Sequence, residues 1–156
     1  DKSTKLFSLF QSFSDSQGSG TFFGYSVAVY GNPKKGKAGI FIGIPNTSSV
    51  QINFGYSSGA TSLSNTQILM SNGTQSFGES VAVDHNFAGG SPLAAIGAGE
   101  ASSVFMVQES SDSPNTWAVT NSFSSSNNFG YSVSVSAGTI ISGSSTSTTW
   151  ICSNAQ

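Results

Sequence analysis

The sequence contains little charge of either sign and no arginine at all. Charged residues make up 8% of the 156 positions, and seven acidic residues against five lysines give a net charge of −2. A nucleic-acid-binding surface needs a cluster of basic side chains, which this composition does not supply. No nucleic-acid partner is therefore expected.

Cysteine and long apolar runs are also scarce. Cys152 is the single cysteine, so no disulfide can form within the chain, and a small buried side chain is its expected role. No stretch of eighteen apolar residues exists, and we expect no membrane span. Because the sequence begins at Asp1 without a methionine, we expect a processed protein or a piece of a longer one.

Three copies of one pattern organise the chain, and in each copy Phe-Gly precedes an alternating apolar run. The copies read FGYSVAV at residues 23–29, FGESVAV at 77–83 and FGYSVSV at 129–135. Short runs rich in Val, Ile, Phe and Thr follow each copy, with Gly, Asn and Ser between them, as is typical of strands joined by turns. The sequence predicts an all-β fold with up to four strands per repeat. A β-sandwich of two sheets would also account for the strands, but not for the repeat.

These motifs resemble the FG-GAP repeat of integrin-α-type β-propellers. In that family Phe-Gly opens the innermost strand of a blade, and small residues close the second strand. The best match to the closing motif is Gly43-Ile44-Pro45, Gly97-Ala98-Gly99 is close, and Ser142-Gly143-Ser144 is degenerate. The resemblance covers nearly the whole chain and implies β-propeller-like blades. The Phe rings of the repeat are expected to fill the space between neighbouring blades.

The resemblance also implies a division of the chain, which we expect to be a single FG-GAP repeat domain over residues 1–156. The expected parts are 1–22 as a donated outer strand and linker, 23–76 as the first blade, 77–128 as the second blade, and 129–156 as a partial third blade.

Propellers of this family often bind calcium in the loop between the first two strands of a blade. Calcium requires several oxygen ligands. Only the loop at residues 84–89 keeps part of the pattern, with Asp84 and Asn86 as candidate ligands and alanine at the fifth position. No metal or other cofactor is expected, and this loop is the weak calcium candidate.

Two strings are similar to enzyme motifs. Residues 31–38 nearly match the phosphate-binding G-x-x-x-x-G-K-[ST], but Ala38 replaces the hydroxyl residue and a strand is predicted next instead of a helix. Residues 55–59 match G-x-S-x-G, but the only histidine, His85, follows an acid in another hairpin. Glu79 and Glu100, both in the second repeat, are the one pair to compare with the two carboxylates of a glycosidase. We expect no catalytic activity.

The favoured function is a non-catalytic structural or adhesion module, extracellular or at the cell surface. A carbohydrate-binding, lectin-like propeller is the alternative, and a glycosidase-type enzyme is a more distant one. A glycan or a cell-surface protein is the expected ligand. The candidate ligand-face residues are Tyr25, Glu79, Glu100 and Tyr131. The possible aromatic stacking platforms are Tyr25, Tyr56, Trp117, Tyr131 and Trp150. The candidate glycosylation sites are Asn46 and Asn72, each in an N-x-[ST] triplet.

The chain ends predict self-assembly. The third repeat has room for three strands only, whereas residues 5–13 form an apolar run without a blade. Three blades are too few for a ring, and an unpaired edge strand favours association. The predicted assembly strand comprises Leu6, Phe7, Leu9, Phe10 and Phe13, and it pairs with the strand that contains Trp150 and Cys152. It is expected to complete the third blade of its own or of a neighbouring chain. Exchange between chains gives a homo-oligomer, either a two-chain ring of six blades or a filament. A fragment of a longer propeller remains the competing interpretation.

Overall fold

The computed structural model describes residues 12–15, 20–32, 37–55, 63, 65–71, 73–84, 92–110, 116–146 and 149–153. Eleven strands occur in these residues, together with one 3₁₀ turn at Pro45–Thr47. The strands are β1 (Ser26–Asn32), β2 (Lys37–Ile44), β3 (Ser49–Gly55), β4 (Asn65–Met70), β5 (Ser80–Asp84), β6 (Leu93–Ala98), β7 (Ser103–Glu109), β8 (Trp117–Ser124), β9 (Ser132–Ser136), β10 (Thr139–Gly143) and β11 (Thr149–Ser153).

The strands form three separate antiparallel sheets, one for each sequence repeat. The first sheet has the order β1-β2-β3-β4, the second β5-β6-β7-β8, and the third β9-β10-β11. The predicted all-β class is confirmed, with three sheets in place of the two of a sandwich. The three open sheets of one chain do not form the closed ring that defines a propeller.

The hairpin register is the same in all three repeats. Ser26 pairs with Gly43, Ser80 with Gly97, and Ser132 with Gly143. The amide of the motif glycine also bonds back to the second strand, since Gly24 N donates to Gly43 O at 3.2 Å and Gly78 N donates to Gly97 O at 3.1 Å. The sequence repeat is therefore a repeat of backbone geometry.

Alternation along the first strand of each sheet decides which side chains enter the core. Successive side chains of a strand point to opposite faces. Val81 and Val83 of β5 pack towards the first sheet, and Val133 and Val135 of β9 pack towards the second. The sheets therefore stack face to face in chain order, with β5 lying between β1 and β9.

Two apolar clusters fill the spaces between the sheets. The cluster between the first and second sheets contains Phe77, and the one between the second and third contains Phe129. Both rings are almost completely buried, as expected for the motif phenylalanine. Phe77 also meets Phe105 edge-on, with ring centroids 5.1 Å apart. Burial of an aromatic ring removes a large apolar area from water and so stabilises the stack.

No helix in the described ranges is long and apolar enough to cross a bilayer. The strand predicted after the near-match to the phosphate-binding motif is present, because Ala38 lies in β2 and pairs with Gly31 of β1. His85 and residues 56–59 of the G-x-S-x-G string lie outside the described residues.

Candidate functional site at the Phe-Gly edge and the third-sheet edge

Each Phe-Gly motif forms a tight turn at the start of its sheet. The amide of the residue after the glycine donates to the carbonyl three residues earlier, as Glu79 N does to Ser76 O at 3.0 Å. The first turn residue has a positive φ in all three copies, at Phe22 (58°), Ser76 (57°) and Asn128 (56°). Tyr25, Glu79 and Tyr131 are therefore equivalent positions. We call the edge formed by residues 22–25, 45–48, 76–79, 99–102 and 128–131 the FG rim.

Glu79 is fixed at the FG rim by a backbone amide. Gly99 N donates to Glu79 Oε2 at 2.9 Å. Pro45 occupies the equivalent position in the first repeat and has no amide hydrogen, and there Tyr25 replaces the acid. Burial raises the pKa of Glu79 above its ordinary value, and the nearby Glu100 charge adds to this, while the Gly99 hydrogen bond opposes it.

A shallow cleft at the FG rim brings together three of the four predicted ligand-face residues, namely Tyr25, Glu79 and Glu100. The other lining residues are Phe22, Pro45, Asn46 and Ser76. The fourth candidate, Tyr131, does not line this cleft. It lies close to Gly99 and Glu79, because a Cβ on Gly99 would be 2.5 Å from Glu79 Oε2 and 3.2 Å from Tyr131 Cα.

The cleft offers carboxylates, an amide and aromatic rings to a ligand. These groups can accept hydrogen bonds from hydroxyl or amine groups and can contact the apolar face of a sugar. The cavity volume is about 110 Å³. Sites that enclose small molecules usually have a volume of roughly 300–1,000 Å³. An adjoining cavity of about 240 Å³ shares Pro45, Asn46, Ser76 and Glu100 with this cleft and is also lined by Ser48 and Gln75.

The other predicted sites are placed as follows. Asn46 is exposed at the FG rim, and its Nδ2 donates to Gly20 O at 2.6 Å. Asp84 Oδ2 accepts a hydrogen bond of 2.5 Å from Ala137 N, so the carboxylate joins β5 to the β9–β10 hairpin. No cluster of three metal-ligating side chains occurs in the part of the chain that the structure describes. Asn72 and Asn86 lie outside it.

One suggested stacking platform is wrong. Trp117 is buried in the core between the first and second sheets, where it meets Phe41 edge-on at 4.8 Å between ring centroids. Its backbone is held by Gln67 of β4, because Gln67 Nε2 donates to Trp117 O at 2.7 Å and Trp117 N donates to Gln67 Oε1 at 2.8 Å. A bidentate contact between repeats, fifty residues apart, gives no signal in the local sequence. Tyr56 and the side chain of Trp150 are not described.

The third sheet ends at β11, which contains Trp150 and Cys152. These residues pair with Ser142 and Ile140 of β10, and no strand pairs with the other edge of β11 in the described ranges. Of the predicted assembly strand, Leu6, Phe7, Leu9 and Phe10 lie outside the described residues. Phe13 is half-buried and lies in no strand.

Sequence reasoning missed a contact that joins consecutive sheets. Ser26 Oγ donates to Gly78 O at 2.8 Å, and Ser80 Oγ donates to Gly130 O at 2.9 Å. The serine of each motif thus holds the motif glycine of the next repeat. The signal was present, because the serine recurs at the same motif position in all three copies.

Comparison of the chain with protein-family models gave no match, and comparison with curated proteins gave none either.

Proposed function

We propose that the chain is a non-catalytic structural module, extracellular or at the cell surface, that is built from FG-GAP-type blades and assembles through strand addition. The observation that carries the proposal is the missing fourth strand of the third sheet. The first two sheets have four strands each, and the third ends at β11 in the described residues. The exposed edge of β11 can accept the backbone hydrogen bonds of one more strand.

A side chain of the second sheet also lies where it could hold a fourth strand of the third sheet. Gln67 of β4 faces the second sheet and holds the backbone of β8 there. The equivalent position on β8 is Asn121, because Gln67 pairs with Ile52 and Asn121 pairs with Met106 at the same step of the repeat. Asn121 is exposed, and its Oδ1 accepts a local hydrogen bond of 2.8 Å from Ser122 N. A fourth strand on the third sheet would pass beside Asn121, as β8 passes beside Gln67.

The donated strand in this proposal is the apolar run at residues 5–13. Exchange of this run between copies forms a two-chain ring of six blades or a filament. The part of the FG rim around Glu79 and Glu100 lies away from β11 and provides the surface for a glycan or a cell-surface protein in this proposal.

Deletion of residues 1–13 tests strand addition. We expect the full chain to assemble, as measured by native mass spectrometry and light scattering, and the deletion variant to be a monomer with an unchanged far-UV circular dichroism spectrum. The matched control removes residues 1–4 only, which leaves the apolar run intact and should leave assembly unchanged. A full chain that stays monomeric at high concentration, or a deletion variant that assembles like the full chain, contradicts the proposal.

A further inference from the structure

Consecutive sheets meet where a serine hydroxyl and a glycine of one sheet contact a glycine carbonyl of the next. We call the serine–glycine pair, Ser26 with Gly43 and Ser80 with Gly97, the cradle. A Cβ on Gly43 would lie 2.0 Å from Gly78 O, and a Cβ on Gly97 would lie 2.0 Å from Gly130 O. These approaches are closer than any side chain permits, so glycine is required at both positions. The neighbouring Ser26 and Ser80 hydroxyls then donate to the same carbonyl oxygens.

The third sheet has the same serine–glycine pair, but no carbonyl of another described sheet lies against it. Ser132 and Gly143 occupy the positions of Ser26 and Gly43 in the hairpin register. A Cβ on Gly143 would meet only the Ser132 side chain. Ser132 is exposed, and its hydroxyl bonds to no other sheet in the described residues, unlike those of Ser26 and Ser80. The outer face of the third sheet is formed by Ser132, Ser134, Ser136, Gly143 and the exposed Ile141 and Ile151. It carries the serine–glycine pair without the glycine carbonyl of a following repeat.

The outer face of the first sheet has the groups that would contact such a serine–glycine pair, namely the motif glycine and the apolar residues of β1. Gly78 and Gly130 pack closely against Ser49 O and Ser103 O of the preceding sheet, whereas a Cβ on Gly24 would meet nothing within 4 Å. Val27 and Val29 are 63% and 68% exposed, although their counterparts on β5 and β9 pack in the two cores. Ile68 and Met70 are exposed on the same face of the sheet, whereas Ile42 and Ile44 of the central strand β2 are buried there, so the exposed apolar area lies on the outer strands β1 and β4.

A buried amide on this face also lacks a partner. Asn53 is 3% exposed, and its Oδ1 accepts hydrogen bonds from Gln51 and Thr66, but its Nδ2 donates to no group of the residues that the structure describes. Asn53 lies at the position of Val107, which packs towards the preceding sheet in the second repeat. A donor in this place requires an acceptor, because an unpaired buried polar group is costly. The serine-rich outer face of a third sheet supplies hydroxyl oxygens.

We propose that the outer face of the third sheet of one copy packs on the outer face of the first sheet of a second copy. This contact repeats the interface that the chain already forms twice internally. Ser132 of one copy then donates to the Gly24 carbonyl of the other, and Val27 and Val29 enter an apolar contact as their counterparts do. Reciprocal contact between two copies gives six blades, which is within the four to eight of closed propellers.

The inference rests on the proposed self-assembly but concerns a different surface from strand addition, so the two can fail separately. Val29→Asp places a charge in the middle of the proposed contact. Val119→Asp is the matched control, since Val119 is an exposed valine on β8 of the internal sheet. Gly143→Val tests the opposite face, because it fills the open cradle while meeting only a side chain of its own copy.

We expect native mass spectrometry of the full chain to give twice the 16.0 kDa chain mass. Val29→Asp and Gly143→Val should each weaken association by about 100-fold or more, because a buried unpaired charge or a filled cradle prevents close packing. Val119→Asp should associate as the unmodified chain does. Thermal unfolding of each variant under monomeric conditions shows whether it still folds.

Four outcomes decide between the surfaces. Loss of association in Val29→Asp and Gly143→Val, with or without loss in the 1–13 deletion, supports the face contact. Association that persists in both face variants but is lost in the deletion overturns the face contact and leaves strand addition standing. A monomeric full chain overturns both proposals. Association that persists in one folded face variant also overturns the face contact, because the proposal requires both surfaces.

Discussion

The cradle glycines show how one missing Cβ determines a contact between two sheets. Gly97→Ala would bring a methyl group against Gly130 O, a backbone atom that cannot rotate away. We expect the free energy of unfolding to fall by about 3 kcal/mol, in the range of severe overpacking. Urea denaturation of the purified variant measures this loss.

Gly31→Ala is the control for this substitution. A Cβ at Gly31, also within a strand, would meet nothing within 4 Å. Its free energy of unfolding should therefore change by no more than about 0.5 kcal/mol. If the two alanine variants unfold at the same urea concentration, the cradle does not constrain the fold.

Glu79 links stability to pH at the FG rim. Its pKa is raised above the ordinary value of 4.5, mainly by burial. The folded state therefore keeps a proton that the unfolded chain has already released, and stability falls as the pH rises through the folded pKa. We expect Glu79→Gln to remove this part of the decline, because the glutamine oxygen still accepts from Gly99 N but does not titrate. Urea denaturation at several pH values above 4.5 measures the difference.

An NMR titration of the Glu79 carboxyl group measures the same effect directly. Glu100→Gln should lower the Glu79 pKa only partway towards its ordinary value, since it removes the like charge but leaves the larger effect of burial. A Glu79 midpoint at or below the ordinary glutamate value would show that the Gly99 hydrogen bond outweighs burial.

At the scale of whole strands, the outer strands of the first two sheets are joined by one side chain. Gln67→Ala removes both bonds to the Trp117 backbone and leaves two buried polar groups without these partners. We expect a loss of about 3 kcal/mol in the free energy of unfolding. Asn121→Ala, at the equivalent exposed position, should change it by no more than about 0.5 kcal/mol in the monomer. Equal effects of the two substitutions would mean that the contact does not hold the strands together.

The strands could be predicted from the sequence because each repeat contains the Phe-Gly motif and short apolar runs separated by turn residues. Among the short apolar runs that follow the first two Phe-Gly copies, those at 49–54 and 103–108 form β3 (Ser49–Gly55) and β7 (Ser103–Glu109). Packing was the expected role of most of the candidate platforms, but the contact that holds Trp117 could not be predicted, because Gln67 lies in another repeat. The meeting of Tyr25 with Glu79 and Glu100 also depends on how two repeats stack. Local periodicity is enough to predict a strand. A contact between two repeats can be predicted only when the packing of one repeat on the other is known.

The exposed apolar side chains are concentrated on the two end sheets of the stack. Val27, Val29, Ile68 and Met70 lie on the outer face of the first sheet, and Ile141 and Ile151 on that of the third. Such patches on a chain with so little charge mark contact surfaces. The second sheet is covered on both faces by its neighbours, whereas the first and third sheets each pack against another sheet on one face only.

The serine-to-glycine hydrogen bond gives the stack a direction. Each serine donates forward along the chain, from Ser26 to Gly78 and from Ser80 to Gly130, so the two ends differ chemically in the way that the poles of a filament subunit differ. Two third-sheet faces brought together would place no motif-glycine carbonyl opposite the Ser132 hydroxyls, so an isologous dimer through that surface cannot form the serine-to-glycine hydrogen bond. Copies that associate through these ends must point the same way around or along the assembly. A copy altered at one pole only would still join through the other and would then act as a terminator.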